Sequence, residues 1–250
     1  MSELRIENIR KRFGRQEVLK GISFAFEPAR VNTIIGPSGC GKTVLLKCMV
    51  GLIKPDAGEV YYGSINFYKA KPDQRQELLK NLGMLFQSSA LFDSMTVGEN
   101  VAFPMRIFTK SSKNEIRDRV AYCLERVGLK GVEDKYPAQL SGGMKRRVGL
   151  ARAIVLNPKY LFCDEPNSGL DPLTARRIDE LIQQLTEDFH TTTIVVTHDM
   201  RSVQILGDRI LFLYDGEAVW KGARQQLKQT SIEESPPQLR AFLQASGLYA

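Results

Sequence analysis

The chain has 250 residues, of which 43% are hydrophobic and 25% are charged, and its formal net charge is +7. This length and composition are typical of a globular protein and exclude wholesale disorder, a collagen-like chain and a coiled-coil rod. The longest apolar stretch, residues 44–53, contains Lys47 and is too short to span a bilayer, and the N-terminus lacks the apolar core of a signal peptide. We therefore expect a soluble, cytosolic protein whose positive charge suits nucleic acid, an anionic membrane surface or a phosphate-rich ligand.

The first third of the chain combines strands with one glycine-flanked helix. Apolar and polar residues alternate over residues 1–35, which predicts half-buried strands, the last of them at Val31–Ile35. That strand runs into three glycines, and a helix is expected after them because apolar residues repeat at helical spacing over 44–49. Residues 58–68 favour a strand or hairpin, and residues 73–82 favour a short polar helix.

The rest of the chain predicts a helical insert followed by alternating strands and helices. The later strands are apolar without alternation, as expected of parallel strands covered on both faces. Together with the first third, this order predicts an α/β fold. The expected helices cover 115–127, 142–156, 173–189 and 238–245, and the expected strands cover 160–163, 194–197 and 210–214.

A phosphate-binding loop is predicted at residues 36–43, where Gly-Pro-Ser-Gly-Cys-Gly-Lys-Thr matches G-x-x-x-x-G-K-[ST] at every fixed position. The loop lies between a predicted strand and a predicted helix, as this motif requires. Its glycines let backbone amides turn towards an anion, and the helix N-terminus adds partial positive charge. Lys42 can reach the β and γ phosphates, and the Thr43 hydroxyl can bind Mg²⁺. The candidate phosphate-binding residues are Gly36, Pro37, Ser38, Gly39, Cys40, Gly41, Lys42 and Thr43.

Two adjacent carboxylates end the apolar strand Tyr160–Cys163. In a protein with a phosphate-binding loop, an acidic residue at this place holds Mg²⁺, and Asp164 is the candidate. Glu165 is then placed to orient or deprotonate a water directed at the γ-phosphate.

A second glycine-containing helix start occurs at residues 140–144, Leu-Ser-Gly-Gly-Met. Ser141 can cap the helix, and Gly142 and Gly143 allow a phosphate to approach the backbone amides. An ordinary capped helix start would show the same pattern, so the order of all the motifs decides between the two interpretations.

That order resembles the nucleotide-binding subunit of an ABC transporter over nearly the whole chain. The motifs are the loop at 36–43, Gln87, LSGGM at 140–144, LFCDEP at 161–166, SGLD at 168–171 and His198. The resemblance implies that Phe13 stacks on adenine, that Gln87 contacts Mg²⁺ and the attacking water, and that His198 contacts the γ-phosphate. It also implies that Asp171 reaches the opposite subunit. Core packing is the alternative for Phe13, and an ordinary structural role is the alternative for His198.

The resemblance further implies a P-loop NTPase fold with a RecA-like core, an antiparallel β subdomain and an inserted α-helical subdomain. It predicts one ABC ATPase domain over residues 1–250, with the core and β subdomain at 1–90 and 158–225, the helical subdomain at about 91–157 and a C-terminal tail at 226–250. Each motif occurs once, so one chain holds half of each ATP site, and a homodimer that drives a separate integral-membrane permease is expected.

Two segments resemble the ATPase of Mla-type phospholipid transporters, which work with MCE-domain proteins at the inner membrane. They are residues 84–104, which begin Met-Leu-Phe-Gln, and residues 140–147, where Met144 replaces the usual glutamine of LSGGQ. This resemblance implies a peripheral subunit on the cytoplasmic face, bound through the permease and engaged in lipid transport between two membranes. The alternatives are an importer of amino acids or other small polar solutes and, more distantly, an ABC ATPase that acts on nucleic acid.

The four cysteines, at positions 40, 48, 123 and 163, form no CxxC pair, and we expect reduced, buried thiols. Cys40 lies inside the phosphate-binding loop beside a helix N-terminus, where a lowered thiol pKa is expected. The sequence departs from the family pattern at Val44, where a second hydroxyl residue often follows the loop, and at Asn167, where threonine or alanine is common and no penalty is expected.

Overall fold

The structure is a computed structural model that describes residues 3–229 and 235–246. The chain divides into two compact units, one made of the described residues of Met1–Leu79 and Thr192–Ala250, the other of Lys80–Thr191. The division predicted from the resemblance stays a prediction, and residues 230–234 and 247–250 of the expected tail lie outside the described ranges. No helix in the described part of the chain is long and apolar enough to cross a membrane.

The elements follow one another in a mixed α/β order. The strands are β1 (Leu4–Phe13), β2 (Gln16–Phe26), β3 (Val31–Ile35), β4 (Ala57–Tyr62), β5 (Ile65–Asn66), β6 (Leu82–Leu85), β7 (Tyr160–Asp164), β8 (Thr192–Val196), β9 (Arg209–Tyr214) and β10 (Glu217–Ala223). The helices are α1 (Lys42–Met49), α2 (Pro72–Lys80), α3 (Val97–Phe108), α4 (Lys113–Arg126), α5 (Gly142–Ile154), α6 (Pro172–Phe189), α7 (Met200–Leu206), α8 (Arg224–Gln229) and α9 (Pro237–Ala245), with a short 3-10 turn at Pro137–Gln139.

The first unit contains an antiparallel sheet and a mainly parallel one. Strands β1, β2, β4 and β5 form the antiparallel sheet in the order β2-β1-β4-β5. Its apolar alternation places Leu4 and Ile6 of β1 in the core. In the other sheet β3 lies between β8 and β9, parallel to both, and β10 pairs antiparallel with β9. Every residue of β3 and β8 is buried, which explains why these strands lack alternation.

The second unit is mainly helical around a parallel pair of strands, β6 and β7. Helices α3 and α4 each begin with a capping box, in which Thr96 pairs with Glu99 and Ser112 pairs with Glu115. Helix α5 packs against β6 so closely that a Cβ added at Gly83 would lie 2.3 Å from the carbonyl oxygen of Ala153. A Cβ added at Gly149 of α5 would lie 2.6 Å from Leu85 Cδ1, so the end of β6 also lies beside α5.

The predicted α/β class is confirmed, and so are the predicted helices at α1, α2, α4, α5, α6 and α9. Four elements were not predicted, namely α3, α8, β6 and β10, and α7 was expected only from the alternating order of strands and helices, without bounds. The capping box at Thr96 was a usable signal for α3, although Pro104 inside that helix weakens its pattern. Strand β6 is four residues long and β10 is only half-buried, so neither carries a strong periodic signal.

Candidate functional site

The predicted phosphate-binding loop connects β3 to α1 in the first unit. Lys42 is only 4% exposed, and its Nζ donates to the carbonyl oxygens of Gly36 and Pro37, each at 2.8 Å. The ammonium group therefore lies within the turn of the loop. A phosphate bound there can accept its hydrogen bonds in place of the two carbonyl oxygens.

Two glycines of the loop occupy conformations that a side chain would not tolerate. Gly36 has φ +148°, and an added Cβ would lie 2.1 Å from the carbonyl oxygen of Leu213. Gly41 has φ +104° and precedes α1. No side chain among the described residues caps this end of α1, and its first turn has no acidic residue. This end of α1 therefore presents no carboxylate that would repel an anion, and its partial positive charge favours one.

A cavity of about 440 Å³ adjoins the loop within the same unit. Its walls are residues 37–40 of the loop, residues 16–18 at the start of β2 and the turn at residues 214–216. Phe13, at the end of β1, is 48% exposed, and Lys11 Nζ lies 5.4 Å from the centroid of its ring. This exposure excludes core packing for Phe13 and leaves a ring face for a ligand.

The thiol pKa of Cys40 differs in direction from the expected one. Its side chain is buried, and burial raises the thiol pKa, because desolvation of the thiolate outweighs the attraction of Lys42 and the nearby backbone hydrogen bonds. The predicted lowering of this pKa is therefore wrong. The broader expectation of buried, unbridged thiols is confirmed at all four cysteines.

In the second unit, the predicted carboxylates lie at the end of β7. Asp164 is the last residue of the strand and is 3% exposed. Glu165 is half-buried and has φ +43°, a left-handed conformation that is unusual for glutamate. Gln87, in the segment after β6, donates from Nε2 to Glu165 Oε2 at 3.3 Å and to Ser168 Oγ at 3.4 Å. The structure thus brings together Gln87 and Glu165, which are 78 residues apart.

Two buried arginines of α5 hold the segment that carries Gln87. Arg146 Nη1 donates to the carbonyl oxygens of Phe86 and Gln87, and its Nη2 donates to that of Ser168. Arg152 donates to the carbonyl oxygens of Ser89 and Ala90. Sequence reasoning missed both arginines, because their acceptors are backbone atoms that lie far away along the chain.

The Leu-Ser-Gly-Gly-Met segment begins α5 as predicted. Ser141 caps the helix by accepting from the Met144 amide, and a Cβ added at Gly143 would lie 2.6 Å from Thr174 Cγ2. Asp171 caps α6 by accepting from the amides of Leu173 and Thr174, and hydrogen bonds from Thr174 lower its pKa. Residues 141–143 and Asp171 line one cavity of about 1020 Å³ within this unit.

The remaining predicted residues differ in exposure and donor chemistry. His198 follows β8 in the first unit and is exposed. Thr43 is half-buried in the first turn of α1. Thr43 supplies a hydroxyl oxygen, Asp164 a carboxylate and Gln87 an amide oxygen, and these hard donors suit Mg²⁺.

Comparisons with known proteins agree with these motifs. Residues 19–168 match the family model described as ABC transporter. The chain belongs to the ABC transporter family. This ABC cassette is 35% identical over 240 residues to the "probable ribonucleotide transport ATP-binding protein mkl" of Mycobacterium leprae, covering 96% of this chain and 68% of that protein. It is 37% identical over 227 residues to the "intermembrane phospholipid transport system ATP-binding protein MlaF" of Haemophilus influenzae, covering 91% and 86%.

A solved structure shares the fold of this ABC cassette. It is a dimeric, post-hydrolysis state of an ATP-binding cassette bound to ADP and Pi, with TM-score 0.80 and 32% identity, covering 88% of this chain and 98% of that chain. The predicted P-loop NTPase fold of the ABC type is confirmed by this likeness and by the family match. The chain is an ATP-binding subunit of an ABC transporter and an ATPase.

Proposed function

We propose that the chain powers phospholipid transport between two membranes, as the ATPase subunit of an Mla-type transporter. The observation that carries this proposal is the likeness to MlaF, which extends over 86% of that protein's length. The segment around Gln87 and the Met144 variant of the LSGGQ motif support it as well.

The first unit contributes the binding of ATP. We assign the phosphates to the backbone of residues 36–41 and to Lys42, whose ammonium group already lies within the loop. Phe13 stacks on adenine through its exposed ring face. His198 contacts the γ-phosphate.

The second unit contributes the hydrolytic residues. Glu165 orients or deprotonates the attacking water, and the hydrogen bond from Gln87 holds the Glu165 carboxylate in place. Asp164 and Gln87 of this unit, with Thr43 of the phosphate-binding loop, would hold Mg²⁺, which would supply positive charge to neutralise the phosphates.

The partners follow from the half-sites. Each motif occurs once in the chain, which supports a homodimer in which Ser141, Gly142, Gly143 and Asp171 of one chain complete the ATP site of the other. The assembly includes an integral-membrane permease and an MCE-domain substrate-binding protein, with this chain peripheral on the cytoplasmic face of the inner membrane. We assign no nucleic-acid partner. The positive charge of the chain has two other anionic partners in this proposal, since Lys42 binds the phosphates of ATP and the remaining excess of +7 faces an anionic membrane leaflet.

The substitution Glu165→Gln tests the hydrolytic assignment. Glutamine keeps the size of the side chain and can still form hydrogen bonds, but it lacks the carboxylate that acts as the base. We therefore expect ATP binding to persist while turnover falls about 100-fold or more. The assay measures phosphate release and fluorescent-ATP binding by the full-length chain, with size-exclusion chromatography to detect an ATP-trapped dimer. Glu187→Gln, at an exposed position near the end of α6, is the matched control. Undiminished turnover in Glu165→Gln would remove Glu165 from this role.

A second candidate function is import of small polar solutes, and the likeness to the mkl protein, whose name specifies ribonucleotide transport, favours it. The two candidates differ in what stimulates ATP hydrolysis. The test uses the chain purified with its permease and reconstituted into vesicles. Added phospholipid and the MCE partner should increase its rate of ATP hydrolysis. Stimulation by ribonucleotides or amino acids instead would favour the importer.

A further inference from the structure

Arg146 is a buried cation at the point where three segments of the second unit meet. It is 6% exposed, although an arginine is almost never fully buried unless it is paired. Burial lowers its pKa, because loss of water disfavours the charged guanidinium. Three backbone carbonyl acceptors, at Phe86, Gln87 and Ser168, replace part of the lost water, while Nε has no hydrogen-bond partner among the described residues.

The two ends of the guanidinium group contact different segments. Nη1 lies 3.0 Å from the carbonyl oxygen of Phe86 and also bonds that of Gln87, so it holds the main chain of the segment after β6. Nη2 lies 3.2 Å from the carbonyl oxygen of Ser168, so it holds the loop after β7. The side chains of these same two segments meet where Gln87 donates to Glu165 and Ser168.

Arginine suits this place better than lysine. The guanidinium group is planar and presents its N–H donors in a rigid fork, so one residue can bridge two segments at a set spacing. A lysine ammonium donates from a single nitrogen and cannot maintain both ends of the bridge. The other buried arginine of α5, Arg152, donates to the carbonyl oxygens of Ser89 and Ala90 instead.

We propose that Arg146 is a positioning residue for ATP hydrolysis, which sets the distance between Gln87 and Glu165 by joining the main chains that carry them. The inference rests on the proposed role of Glu165. It assigns to the α5 segment that follows the glycines a function in the chain's own hydrolytic site, separate from any contact that Ser141 makes.

The test compares Arg146→Lys with Arg119→Lys in the full-length chain. Arg119 is a matched control, because its guanidinium donates to the carbonyl oxygens of Ile154 and Val155 at the other end of α5, with no bond to residues 86–87 or 165–168. We expect Arg146→Lys to lower kcat about 10- to 100-fold, since small misplacements of reacting groups cost that much, while the Kd for fluorescent ATP stays unchanged. Arg119→Lys should change neither value.

A second measurement separates positioning from general stability. In a Gln87→Ala background, Arg146→Lys should lower kcat by a smaller factor than in the wild type, because both changes act on one contact. Equal factors in the two backgrounds would overturn the proposal. So would a normal kcat in Arg146→Lys, or a loss of ATP binding and of thermal stability that parallels the loss of kcat in both Arg146→Lys and Arg146→Gln.

Failure of the underlying assignment gives a different result. If Glu165→Gln hydrolyses ATP like the wild type, the role of Glu165 fails whatever Arg146 does. If Glu165→Gln is inactive and Arg146→Lys matches Arg119→Lys, only the inference about Arg146 fails.

Discussion

Asn167 connects the loop after β7 to helix α6, and its replacement should destabilise the chain. Its Nδ2 donates to Asp179 Oδ1 at 2.6 Å, and Asp179 is 2% exposed on α6. The sequence predicted no penalty for asparagine at this departure from the family pattern. The structure gives it a buried acceptor, so the alanine that is common in the family would remove a hydrogen bond in this chain.

The expected size of the effect follows from the burial of that acceptor. Removing the donor to a buried acceptor costs about 1–3 kcal/mol. For a chain of this size each kcal/mol shifts Tm by about 2–4 °C, so Asn167→Ala should lower Tm by about 2–12 °C. Because Asn167 lies two residues after Glu165, the same change should also lower kcat.

Urea and thermal unfolding of the full-length chain, followed by circular dichroism, would measure this effect. Asn114→Ala, at an exposed position on α4, is the control and should stay within about 0.5 kcal/mol of the wild type. In an Asp179→Ala background, Asn167→Ala should cost much less, because the acceptor is already gone. A wild-type free energy of unfolding in Asn167→Ala, or the same cost in both backgrounds, would refute the reasoning.

Two further predictions concern the first unit. Phe13→Ala should weaken fluorescent-ATP binding about 5- to 150-fold, since aromatic–base stacking contributes about 1–3 kcal/mol, whereas Phe13→Tyr should bind normally; equal affinities of both variants would exclude stacking. Cys40 should react with iodoacetamide more slowly than a cysteine peptide, and its rate should still rise above pH 9, because the raised pKa keeps thiolate scarce at lower pH. ATP should slow the reaction further and complete labelling should abolish ATP binding, so fast labelling at pH 7 or full activity after labelling would contradict this.

Much of the fold could be predicted because its signals are local. Alternation in β1 and β2, the apolar spacing of α4 and the proline at the start of α6 each depend on neighbouring residues. The elements that were missed carry weak local signals. Strand β6 acquires its conformation from pairing with β7, which begins 75 residues later than the end of β6 along the chain.

The sequence by itself determined the phosphate-binding loop, the capped start of α5 and the carboxylates after β7, because each depends on residue types at fixed spacing within a few positions. Tertiary structure alone decided the pKa of Cys40, where burial outweighs the neighbouring lysine. It also decided the partners of Gln87, Arg146 and Asn167, since hydrogen bonds to distant backbone and side-chain atoms have no sequence period. Desolvation and long-range pairing exist only after the chain has folded, and these two effects set the chemistry at the site.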